Sequence, residues 1–101
     1  MSGLNEVRGE AGLVIDGQVR RLCLTMGALA QIESALETTS LDELSARLLH
    51  LSAADVLAVL GALLMGGGNP LTRQELMSAS IDPAATATAI AETFSLAMQD
   101  I

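Results

Sequence analysis

Lysine, tryptophan and tyrosine are missing from this chain of 101 residues, and Phe94 is its whole aromatic content. Its cations are five arginines, Arg8, Arg20, Arg21, Arg47 and Arg73, set against 12 carboxylates for a net charge of -7. Nucleic-acid binding needs a dense cationic face that displaces counterions, and no such face can be assembled here. The same repulsion disfavours an anionic membrane surface. A single cysteine, Cys23, excludes an internal disulfide, and in an apolar strand it reads as a small hydrophobe. The longest apolar run, Ala53 to Met65, falls short of the roughly 20 residues that cross a bilayer. The first ten residues, MSGLNEVRGE, have neither a cationic start nor an apolar stretch of the secretory kind, so the chain reads as cytoplasmic.

Hydrophobic residues nevertheless make up 50% of the chain. With almost no aromatics, the core must be built from Leu, Ala, Ile, Val and Met, which pack best at helical spacing. The length suits one domain, residues 1–101, with no linker long enough to divide it. Residues 1–8 read as extended or disordered, 9–25 as a β-hairpin and 26–101 as helical. The expected fold class is α+β, an N-terminal β-hairpin packed against a bundle of about four to five α-helices.

The hairpin is read from alternation. Ala11, Leu13 and Ile15 share one side, Leu22 and Leu24 continue the period of two, and Asp16-Gly17 between them is a preferred two-residue turn because both positions favour positive φ. Such a ribbon is marginal alone and needs a cover, which only the following helices can supply. Val19, Arg21 and Cys23 fall on the opposite face, while the stem of Arg20 lies over the core edge.

From Thr25 the period becomes helical, with Leu29, Ile32 and Leu36 on one stripe and Thr25 as N-cap. Ser40 to Glu43, Ser52 to Asp55 and Thr72 to Glu75 read as capping boxes, and Asp82-Pro83 as the start of the last helix. On that helix Ile90, Phe94, Met98 and Ile101 stack at four-residue spacing. Gly66, Gly67 and Gly68 before Pro70 read as a helix terminator and flexible connector.

Candidate chemistry is thin. His50 ends a helix, where an imidazolium would meet the carbonyl dipole; catalysis or metal binding would need further ligands or a nucleophile beside it. The glycine run lacks the lysine of a phosphate loop and follows a helix instead of a strand. Glu33, Glu37, Asp42 and Glu43 form an acidic surface that is either a solvated face or the rim of a binding groove. Arg20-Arg21 either protects an exposed sheet edge or steers a partner's carboxylates. Five methionines fill a core or form an adaptable binding surface. No enzyme signature, cofactor motif or metal-ligand set emerges, so no enzymatic activity is expected. What stands out is a mean hydropathy of +0.48 in a small domain, more apolar surface than one small body hides. A homo-oligomer or a partner segment would cover it.

The pieces RGE…LVIDGQ, LTMGALAQIESAL and LMGGG, in this order from about Arg8 to the end, resemble the gene transfer agent family of small phage-tail proteins, grouped with phage tail assembly chaperones. Gly27 to Glu33, GALAQIE, carries most of the likeness. The resemblance implies a tail assembly chaperone of a gene transfer agent or prophage that binds the tape measure protein. The alternative is a structural, tube-associated tail component incorporated into the particle. Partners would be the tape measure protein or other tail proteins, with no nucleic acid and no membrane. The residues expected to meet the partner are Leu29, Ile32, Leu36, Phe94 and Met98.

Overall fold

Asp16 and Gly17 adopt φ of 52° and 80°, so the two-residue turn forms where alternation placed it. It joins β1 (Glu10–Ile15) to β2 (Gln18–Cys23) in one antiparallel pair with Leu13 opposite Arg20 and Ala11 opposite Leu22. The structure, a computed structural model, describes residues 10–98, with Met98 described by its backbone alone. Ala11, Leu13, Ile15 and Leu22 are buried on the inner face, as the period of two requires.

Among the described residues five helices follow: α1 (Met26–Ala35), α2 (Leu41–Arg47), α3 (Ala53–Gly66), α4 (Arg73–Ser78) and α5 (Pro83–Met98). The fold is therefore α+β, a hairpin followed by helices. Thr25 caps α1, its Oγ1 accepting from the Ala28 N–H at 3.0 Å. Ser52 with Asp55, and Thr72 with Glu75, close complete capping boxes. Ser40 completes only half of one. Its hydroxyl accepts from the Glu43 N–H, but the Glu43 carboxylate takes the Thr39 hydroxyl at 2.8 Å.

The core gathers around α3, which packs against α1, α4 and β2, while α5 lies on the hairpin. Leu60, Leu63, Leu64 and Val59 of α3 share one core cluster with Ile32 and Leu36 of the α1 end, Leu44 of α2, Leu76 of α4 and Phe94 of α5. Each fully buried aliphatic side chain contributes about 1.5–3 kcal/mol, which the hairpin alone could not collect. Thr93 is buried on α5 at no hydrogen-bonding loss, since its hydroxyl donates to the Ala89 carbonyl at 2.7 Å. Gly61 sits mid-helix in α3, where an added Cβ would meet Leu76 Cδ1 at 3.7 Å, an ordinary contact. Gly61→Ala is expected to stabilise the fold by about 0.5–1 kcal/mol through reduced backbone freedom of the unfolded chain. Thermal denaturation would register this as a Tm raised by about 3–6 °C, and a lowered Tm would mean that the α3–α4 contact leaves no room.

The glycine run ends α3 but does more than stop it. The Asn69 N–H donates to the Leu64 carbonyl and the Gly68 N–H to that of Met65, the paired bonds of a left-handed helix ending, with Gly68 at φ 81°. Gly66 and Gly67 lie against the backbone of Cys23 and Arg21. In a hairpin closed at Ile15 and Gln18, Arg21 and Cys23 point their carbonyls away from β1, so the glycines cover the outer edge of β2. That edge is thus protected by a helix end, not by the arginine pair: Arg21 is exposed and Arg20 is half-buried. Cys23, on the outer face by register, is buried as well.

A second tether was not legible in advance. The Asp16 N–H donates to the Ser80 carbonyl at 3.0 Å and the Ser80 N–H donates to Asp16 Oδ1 at 2.7 Å. The hairpin tip is thereby fastened to the segment between α4 and α5.

Candidate functional site

Because the C-terminal half of α3 and much of α5 are both anchored on the hairpin, these two helices touch each other little. Between the first half of α3 and the first three turns of α5 lies a groove of about 790 Å³. Ala53, Val56, Leu57 and Leu60 form one wall and Pro83, Ala87, Ile90 and Phe94 the other, while Leu76 and Met77 of α4 stand at one side. Among the described residues, no charged one lines it. The hydroxyl of Thr86, which lines it too, is turned into its own helix and donates to the Asp82 carbonyl at 2.8 Å. Leu49 and Met77 border the groove with 79% and 66% of their surface exposed. Such a surface can hold an apolar stripe of another chain.

The five residues expected from the sequence part company here. Phe94 lines the groove. Ile32 and Leu36 are buried in the core, where α1 meets α3, and Leu29 is half-buried beside them. Met98 closes α5, with its side chain outside the described part, and Ile101 lies outside the described residues. Spacing alone cannot separate a stripe that faces the molecule's own core from one that faces a partner. The groove residues that stripe reading missed, Leu49, Leu51, Ile81 and Met77, lie in connectors or on the short helix α4. Large apolar side chains in connecting segments, where polar residues are the rule, were the available signal.

The other candidate groups do not converge. His50 is exposed past the end of α2, and it is Arg47 that ties this end down, donating to the His50 carbonyl at 2.8 Å and to Asp55 Oδ2 at 2.9 Å. The Ser52 N–H and the Arg47 guanidinium hold the Asp55 carboxyl below its ordinary range. Cys23 is buried in β2, and neither it nor His50 lines the groove. Among the described residues no group of three His, Cys, Asp or Glu side chains is placed to hold a metal ion, and no helix is long and apolar enough to cross a membrane.

A family model described as phage tail tube protein, GTA-gp10, matches residues 8–100. The chain belongs to this family. No curated protein matches it, and no solved structure does. Membership makes it a tail-related protein of the gene transfer agent type.

Proposed function

We propose that this chain is a structural, tube-associated component of a phage-like tail and that it fastens to other tail proteins by taking an apolar helical segment of theirs into the groove. The observation that supports the reading is the groove, an uncharged apolar surface framed by three helices in a chain of net charge -7. An amphipathic helix lays its apolar face into such a groove and keeps its polar face in water. The family description favours a part of the finished tail. Phe94 is the residue of the expected set that contributes to this contact.

The test is quantitative mass spectrometry of purified particles. The chain should be present at a fixed ratio to the major tail protein, and its absence from particles overturns the structural role.

A second reading has its own support. The groove stands open in the isolated chain, which suits a chaperone that holds an apolar stripe of the tape measure protein and later releases it. In that case co-expression yields a soluble complex with the tape measure protein, and the chain is missing from finished particles.

Both readings place the partner in the groove. Met77→Glu puts a carboxylate on its border, at an exposed position where the fold is indifferent, while a partner's apolar side chain would desolvate the charge. Affinity for the tail partner, read by calorimetry, is expected to fall about a hundredfold with an unchanged Tm. Unaltered affinity would remove the groove from the proposal.

A further inference from the structure

The two edges of the hairpin are unlike. Gly66 and Gly67 cover the outer edge of β2, whereas along the free edge of β1 the main-chain bond among the described residues is at the tip, from the Asp16 N–H to the Ser80 carbonyl. With Ile15 paired to Gln18 across a two-residue turn, Leu13 and Ala11 also spend their N–H and C=O groups on β2. Gly12 and Val14 turn theirs the other way. Among the described residues no hydrogen bond meets those outward groups. A row of unpaired main-chain donors and acceptors is a template for a further strand.

The outer face beside this edge has a chemistry of its own. Val14 is 53% exposed, and Arg21, opposite Gly12 in the register, is exposed and makes no ion pair among the described residues. Glu10, which shares this face by register, is buried. Gly12 has no side chain, so nothing of its own stands between Arg21 and a strand added at the edge. Neighbouring strands lie about 4.8 Å apart, which puts Arg21 about 10 Å from the residue that would face Gly12. An extended arginine stem and a carboxylate side chain close that distance.

We infer that β1 takes an extended acidic segment of a partner protein as an added antiparallel strand. Facing residues of an antiparallel pair share a face and can exchange both main-chain bonds, which gives Gly12 and Val14 the partners they lack. Ser80 holds the place beside Asp16, so the segment begins opposite Val14 and runs toward the start of β1. Its pattern follows from the register. An apolar residue lies against Val14, the next faces the side on which α5 packs, and an aspartate or glutamate opposite Gly12 pairs with Arg21. This contact is separate from the groove, because a strand and an amphipathic helix are different structures to present.

Amide-resolved NMR of the isotope-labelled chain tests this, with a blocked oligothreonine peptide carrying one isoleucine and, two residues after it, one aspartate as the probe. Threonine favours extended structure. At millimolar peptide the Gly12 and Val14 amides should shift saturably, and the same peptide with asparagine for aspartate should bind about threefold more weakly. Val14→Pro removes an outward N–H without touching the ladder to β2, and should weaken binding about fivefold or more with the fold retained by circular dichroism. Arg21→Gln should abolish the difference between the two peptides, and it decides by itself if the proline unfolds the hairpin. Absence of shifts, equal affinity of the wild-type chain for both peptides, or shifts centred on the groove residues Leu57 and Ala87 overturns the proposal. So do Gly12 and Val14 amides protected from hydrogen exchange before any peptide is added, since the chain itself or a second copy would then hold the edge. None of these outcomes depends on the Met77→Glu result.

Discussion

Gly67→Ala is expected to destabilise the fold by about 3 kcal/mol, the upper end of the usual cost of overpacking a filled interior. An added methyl would overlap the Arg21 carbonyl oxygen and lie 2.7 Å from its carbon and 3.2 Å from the Leu22 nitrogen. All three are backbone atoms of a paired strand, so no rotamer change relieves the clash. Either α3 lifts off the edge of β2 or the strand bends away from β1, and both expose the apolar contact between them. Thermal denaturation should register this as a Tm lowered by about 10–20 °C. Gly68→Ala is the control: it has open space around it and suffers only the strain of a left-handed φ, about 1 kcal/mol. Equal effects at the two positions would mean that helix termination, and not close approach, is what the run provides.

Ile32→Ala carries the second large effect, a loss of about 3 kcal/mol within the 2–5 kcal/mol typical of an aliphatic side chain truncated to alanine in a core. Ile32 is fully buried in the core cluster that also holds Leu63 and Leu64 of α3 and Leu13 and Leu22 of the hairpin, so its truncation leaves a cavity in a packed interior. Chemical denaturation measures the loss directly. A partner-contact residue behaves in the opposite way: stability survives truncation and binding does not. An Ile32→Ala variant with wild-type stability and lost partner binding would return this stripe to the docking surface.

The hairpin was legible because its signal is local. A period of two and Asp16-Gly17 require no knowledge of the rest of the chain, and the positive φ at both turn residues follows from the same chemistry. The N-caps at Thr25, Ser40, Ser52 and Thr72 were legible for the same reason, since each bond spans three residues. The likeness to gene transfer agent tail proteins was also carried by short pieces in order, and the family match over residues 8–100 agrees with it.

What the sequence by itself determined about this protein is therefore its elements, where they start and which residues of each share a face. Those properties arise from interactions over a few residues, which periodicity and capping record. Only the tertiary structure decided that Ile32 and Leu36 turn inward, that Gly66 and Gly67 close the edge of β2, and that Asp16 is tied to Ser80 across 64 positions of chain. It also decided that α3 and α5 stand apart over their first halves. Apolar stripes look the same in sequence whether they meet each other or leave a groove between them, because the difference lies in where the helices are anchored, and that is set by contacts between residues far apart in the chain.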